Sequence, residues 1–242
     1  MSTLQPNWTA APNVSAVTTT REGGVSNAPF LGLNLGMHVG DIPADVEANR
    51  RQLASLANMP SNPVWLNQTH STVVAQLEAP TDAVLDADAS FTTVPGVVLS
   101  AMTADCLPIL LAAKDGSAVS AVHAGWRGLA DGIVENAVSL FDSPLQAWVG
   151  PAIGFDCFEV GEDVREAFCT NHPEYAIAFK SHPSSGKWLA DLALIAELKL
   201  KALGVDSVAQ SGLCTFQDPT RFFSYRRDGQ TGRMASFIWI KA

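Results

Sequence analysis

Mixed β-sheets covered by helices, an α+β (mixed α/β) fold, are what this sequence predicts, and three observations predict it. Short runs rich in β-branched and aromatic residues recur along the 242-residue chain. Helical patterns interrupt them irregularly, with some connections short enough for hairpins and others long enough for crossovers. Apolar residues make up 47% against 16% charged, which allows a large core and is far from the signature of disorder. No repeat or linker divides the chain, so one domain over 1–242 is expected.

The elements follow in order. Residues 14–20 form a β-branched strand, and 43–56 a helix with Pro43 in its first turn and Val46, Leu53 and Leu56 on one side. Strands are expected at 64–67 and 72–77, then at 97–102, 109–112 and 118–123, with Pro108 forcing the chain out of regular pairing. Residues 129–141 carry Ile133, Val134, Ala137, Val138 and Phe141 at helical spacing, followed by a strand at 146–149. Asp191 can cap a helix over 192–203 that stops at Gly204, and a strand spans 234–240. The segments 150–154 and 158–161 read as turns and loops, with Cys157 structural.

Charge and cysteine usage narrow the partners. A formal charge of −9 argues against nucleic acid or anionic membrane, whose binding rests on a basic surface. Residues 1–12 lack the basic and apolar regions of a secretory signal, and the apolar stretch 97–113 contains Asp105 and Pro108 and is too short to span a bilayer. Cys106, Cys157, Cys169 and Cys214 show no paired spacing, so reduced thiols in a cytoplasm are expected. No heptad or self-complementary stripe is visible, and a monomer is expected.

Three strand ends carry the candidate chemistry. In Met102-Thr-Ala-Asp-Cys-Leu-Pro108, Asp105 and Cys106 end an apolar strand; a lone cysteine there would read as a small hydrophobe, but its acidic neighbour needs a partner. In Ala121-Val-His-Ala-Gly-Trp-Arg-Gly128, a strand delivers His123 into a glycine-flanked turn that opens a helix, with Arg127 near a start favourable to anions. His70 follows a short strand in Trp65-Leu-Asn-Gln-Thr-His-Ser71. His70, Cys106 and His123 together suit zinc, although their separations match no finger motif. Three protein ligands would leave a position for water or substrate, the catalytic pattern.

Anion chemistry is expected elsewhere. Four of nine arginines, Arg221, Arg226, Arg227 and Arg233, fall in one glycine-containing stretch of an acidic chain, as a phosphate or carboxylate site would need, unless they pair with Asp218 and Asp228. Arg21, Asn34, His38 and Asp41 sit in glycine-rich loops that line a pocket or only shape turns. There is no P-loop, no GxGxxG entering a helix, no HExxH and no GxSxG, which removes nucleotide-driven motors, Rossmann dehydrogenases, zincin proteases and α/β-hydrolases.

Taken together, Asn34-Leu-Gly-Met-His-Val-Gly-Asp41, Gln68-Thr-His-Ser71, Thr103-Ala-Asp-Cys-Leu-Pro108, Ala121-Val-His-Ala-Gly-Trp-Arg-Gly128 and Phe223-Ser-Tyr-Arg-Arg-Asp-Gly-Gln-Thr-Gly-Arg233 resemble the YfiH-type family. That family was long labelled polyphenol oxidase or laccase-domain and later described as zinc-dependent purine nucleoside phosphorylases. The resemblance covers nearly the whole chain in order. It implies a sandwich of mixed sheets flanked by helices, similar to cysteine deamidase toxins, with His70, Cys106 and His123 as zinc ligands. It also implies phosphorolysis of adenosine, inosine, guanosine and methylthioadenosine, together with adenosine deamination.

The residues fit both reactions. An anion clamp from Arg226, Arg227 or Arg233 would hold phosphate against C1′ of the ribose, with Arg21, Asn34, His38 and Arg127 as further substrate contacts. For deamination, water activated at the metal would attack C6 of the purine while Asp105 shuttles protons. True multicopper chemistry is rejected, because five histidines and no HxH pair cannot hold several coppers, yet copper binds a two-His, one-Cys site more tightly than zinc. Two other classes compete. Cys106 and His123 could be nucleophile and base of a cysteine hydrolase or amidase acting on peptidoglycan precursors, or the fold could be a binding module without turnover.

Overall fold

The computed structural model describes residues 2–184 and 186–242. Two mixed sheets pack face to face. In the five-stranded sheet, Thr3–Leu4, Val14–Thr19, Met234–Ile240 and Val98–Thr103 run antiparallel in that order, and Pro63–Val64 joins parallel at the edge. In the six-stranded sheet, Leu145–Val149, Leu107–Ala113, Val119–Ala124 and Ala89–Thr92 are antiparallel neighbours, with Ser207–Gln210 and Val74–Gln76 parallel at the two edges. A three-stranded sheet, Glu159–Gly161, Lys187–Ala190 and Phe179–Ser181, and a two-stranded one, Leu66–Asn67 with Leu85–Asp86, complete the set.

Side-chain alternation explains the layers. From the Leu107–Ala113 strand, Leu110 and Ala112 point inward and meet Leu99, Ala101 and Ile238 of the other sheet. Leu107, Ile109 and Leu111 point outward onto Leu129, Ile133, Val134, Ile195 and Leu200 of the covering helices. The five-stranded sheet turns Val98, Met102 and Phe237 toward Leu33, Leu35 and Leu53, the last from the helix Pro43–Leu56. The result is helix, sheet, sheet, helix. A strand buried on both faces loses its period of two, which is why 97–113 reads as one continuous apolar run.

Several boundaries differ from expectation. The helix expected over 129–141 is two, Trp126–Asp131 and Ile133–Val138, because Gly132 sits at φ 107, where only glycine is unstrained. Pro108 does not break pairing: it stands opposite His123 inside Leu107–Ala113, and its carbonyl accepts the Gly150 N–H at 2.9 Å. The expected loop at 158–161 contains the Glu159–Gly161 strand, which leads into the helix Glu162–Cys169. Asp191 does cap Leu192–Ala202, accepting the Leu194 N–H at 2.9 Å. No described helix is long and apolar enough to cross a membrane.

Antiparallel pairing brings the chemistry to one end of the sandwich. Thr103 pairs with Met234, and Ala124 pairs with Leu107, so the Ala104–Cys106 connection, the turn after His123 and the segment before Met234 share that end. The His70 loop joins them through the edge strand Val74–Gln76.

Candidate metal centre and active site

His70, Cys106 and His123 converge so that one ligand atom from each lies within 4.8 Å of the others. His70 Nε2 is 3.7 Å from Cys106 Sγ, and the two imidazole rings cross edge to face with centroids 5.0 Å apart. A tetrahedral zinc with bonds of about 2.0 Å to nitrogen and 2.3 Å to sulfur separates such ligands by roughly 3.5 Å, so the donor set fits. Backbone makes room for it. A Cβ on Gly125 would stand 2.3 Å from His70 Cδ2 and 3.2 Å from Cys106 Sγ, so only glycine lets the turn pass this close.

Two residues of the site hold positive φ without being glycine, His70 at 64° and Asp105 at 98°. Such positions persist where the surroundings over-determine them. The N–H groups of Thr69, His70 and Ser71 all point at the carboxylate of Asp88, at 3.1, 3.0 and 2.6 Å. Asp105 is fixed by its carbonyl, which accepts the Ile153 N–H, and by three donors to its carboxylate: Thr215 Oγ1 at 2.6 Å, Ser224 Oγ at 3.0 Å and the Arg226 N–H at 2.7 Å.

Electrostatics favour charge separation in the cluster. Burial alone would push the Cys106 thiol up, but the His123 charge and hydrogen bonds from both histidines outweigh it and bring the thiol down to about 6. Burial would push His123 down, yet Cys106 and Asp88 raise it to about 9. Asp88, buried but bonded to His123 and Ser71, is held well below the usual carboxylate range. Without metal, the neighbours form a thiolate–imidazolium pair, and metal binding would displace the His123 proton. Metal-stripped protein treated with iodoacetamide at pH 7 should therefore be modified at Cys106 ahead of Cys157, whose thiol burial and the neighbouring Cys214 push up to about 11. Mass spectrometry showing equal labelling of the two would contradict this charge state.

The cluster forms one wall of a cavity of about 500 Å³. His38, Arg127, Tyr225 and Arg233 line the same cavity. Neither arginine has a carboxylate within ion-pair distance among the described residues; Arg127 lies 4.3 Å over the Trp126 ring, and the Arg233 guanidinium bonds only the carbonyls of Thr231 and Gly232. Burial, then the charges of Arg233 and Arg50, lower His38 and keep it neutral near pH 7. A smaller, mainly apolar compartment of about 130 Å³ opens from the same wall, lined by Ile153, Phe158 and Leu192, and shares Cys106, Trp126 and Tyr225 with the large one.

The other expected residues are placed differently. Arg227 is turned into the chain: its guanidinium bonds the carbonyls of Thr215, Phe216 and Phe222 and the carboxylate of Asp228, so it braces the loop and has no donor left for a clamp. Asp105 accepts one donor at Oδ1 and two at Oδ2, so it braces the Ser224 and Arg226 segment while also lining the small compartment. Arg226 donates to the Glu159 carbonyl and rims the small compartment. Arg21 bonds the carbonyls of Pro219 and Leu31 and lines a separate glycine-bounded hollow. Asn34 is buried; it bonds Gly36 and Asp41 and accepts the Arg233 N–H, so it shapes the loops that carry His38 and Arg233.

Three further residues shape the site without a local sequence signal for that role. Asp88 joins the centre only because the strand after it pairs with the strand carrying His123. Gln68 bonds both backbone groups of Met102 at 2.8 Å and fixes the floor of the cavity. Tyr225, inside the arginine-rich motif, lines both the large cavity and the small compartment.

Known proteins similar to this chain match it over nearly its whole length. The family described as multi-copper polyphenol oxidoreductase laccase matches residues 15–241. A purine nucleoside phosphorylase of Pseudomonas aeruginosa is 48% identical over 241 residues, covering 98% of each chain. The purine nucleoside phosphorylase YfiH of Escherichia coli is 48% identical over 240 residues, again covering 98% of each. Among solved structures, a Neisseria meningitidis protein superposes with a TM-score of 0.93 at 46% identity, over 99% of each chain. YlmD from Geobacillus stearothermophilus gives 0.88 at 34% identity, over 96% of this chain and 94% of its own. With its two packed mixed sheets, its His–Cys–His cluster and these relatives over nearly its whole length, the chain belongs to the YfiH family of laccase-like proteins.

Proposed function

We propose that this protein is a zinc-dependent purine nucleoside phosphorylase acting on adenosine, inosine, guanosine and methylthioadenosine, with adenosine deamination as a second activity. One observation carries the reading: a single cavity lined by a His–Cys–His cluster and by two arginines without carboxylate partners among the described residues, next to an apolar compartment. His70, Cys106 and His123 would hold the metal. When bound, zinc supplies a Lewis acid that polarises an oxygen or activates water.

The chain's own groups divide the substrate. Arg233 and Arg127 offer forked donors to phosphate, and the small compartment offers Phe158, Trp126 and Tyr225 to the flat face of a purine. The ribose then lies between them. An oxygen of phosphate attacks C1′ as the bond from C1′ to N9 breaks, the purine leaving with the bonding pair; the arginines hold the nucleophile while positive charge grows on the sugar. For deamination, Asp105 at the small compartment and His38 at the large cavity are the proton carriers the chain offers.

Chromatography of adenosine and inosine reactions, with and without phosphate, tests this. Free base plus ribose 1-phosphate is expected only with phosphate, and inosine from adenosine with or without it. Turnover of neither nucleoside by zinc-loaded protein overturns the reading.

A second reading has one observation of its own. Cys106, His123 and Asp88 form a nucleophile, base and orienting carboxylate, the order of a cysteine hydrolase or amidase, for which peptidoglycan precursors would be substrates. His70 weighs against it: a second imidazole on the same sulfur serves a metal and is superfluous in a hydrolase. A covalent adduct on Cys106 after incubation with an amide substrate, seen by mass spectrometry, would favour the hydrolase.

A further inference from the structure

Asp88 is completely buried, and its backbone and side chain tie together the two segments that present the histidines. Its main chain bonds both: the N–H donates to the Val73 carbonyl at 3.0 Å, and the carbonyl accepts the His123 N–H at 2.8 Å. Its carboxylate accepts five donors. Oδ1 takes the His70 N–H at 3.0 Å and lies 2.8 Å from His123 Nδ1; Oδ2 takes the N–H groups of Thr69 and Ser71 and the Ser71 hydroxyl at 2.7 Å.

We propose that Asp88 is a positioning residue that presets both histidine ligands at once, selecting the tautomer of His123 and holding the backbone of His70 in its left-handed conformation. This rests on the reading of the cluster as a metal centre. On His123, a carboxylate at Nδ1 keeps the proton there and leaves the Nε2 lone pair for the cluster. On His70, φ of 64° is a costly conformation for a residue with a Cβ, and three successive N–H groups closing on one carboxylate hold it. The two ligands therefore share one support, and a change at Asp88 disturbs both although it touches neither the metal position nor the cavity.

Asp88→Asn tests this because the side chain keeps its size but offers one acceptor oxygen instead of two. Whichever way the amide turns, its NH2 meets a backbone N–H: His70 on one side, Thr69 and Ser71 on the other. The first orientation also drives the His123 proton to Nε2, the atom the cluster uses. Zinc affinity, measured by competition with a chromophoric chelator, is expected to fall about 10- to 100-fold. The visible spectrum of the cobalt-substituted protein should change with it, which a merely structural role would not require.

Equal zinc affinity and an unchanged cobalt spectrum in Asp88→Asn overturn the inference. Wild-type protein that takes up neither metal overturns it together with the metal reading. Should Asp88→Asn not fold, imidazole 15N spectra of wild-type zinc protein decide: a proton on His123 Nδ1 is expected, and a proton on Nε2 overturns the proposal.

Discussion

Cys106→Ala is expected to lose metal and phosphorolysis together while keeping its fold. Structural zinc sites contribute about 10–16 kcal/mol from about four ligands, so one ligand is worth about 3 kcal/mol, or somewhat over 100-fold in affinity. The loss is larger here because two imidazoles alone do not retain zinc against competing buffer ligands, and ribose 1-phosphate production should fall by more than about 1,000-fold, roughly 4 kcal/mol. The fold should survive, because Cys106 is only partly buried and lies between two strands rather than within one. Metal analysis, a thermal melt and chromatography of the same preparation check all three. Retained zinc with lost turnover would instead indicate that the sulfur acts as a nucleophile.

Arg233→Met should leave the metal in place and weaken phosphate. Methionine keeps the apolar stem that packs against Gly36 and removes only the guanidinium. A charge-assisted hydrogen bond contributes about 1.5–3 kcal/mol, so kcat/KM for phosphate is expected to drop about ten- to a hundred-fold, with zinc content unchanged. Burial lowers the Arg233 pKa, and no carboxylate of the described residues pairs with it, so the charge is held ready for a ligand. Phosphate-saturation kinetics at fixed inosine check this. An unchanged phosphate KM would move the anion site to Arg127.

The family's older description as a multicopper oxidoreductase sits uneasily with these residues. Among the described residues one cluster of His, Cys and acidic side chains suits a metal, and it has three ligands. The chain's other histidines, His38, His172 and His182, stand outside it. One ion fits.

Much of this was legible in the sequence. Mixed sheets with covering helices followed from β-branched runs interrupted by 3.6-residue patterns, because those periods reflect which side of the backbone meets the core. The strand 234–240 and the helix 43–56 have the expected bounds. The three candidate metal ligands stood out because polar residues that end apolar runs have few reasons to be there.

What the tertiary structure alone decided is where each polar group points and what it meets. Arg227 and Arg233 lie in the same motif, yet one spends its donors on carbonyls of its own loop and the other faces the cavity. Asp105 and Asp88 look alike in the chain, yet the first secures the Ser224 and Arg226 segment and the second secures both histidines. Periodicity carries the direction of a side chain relative to its own strand or helix. The partner it meets comes from strand pairing between segments far apart in sequence, and no local pattern encodes that.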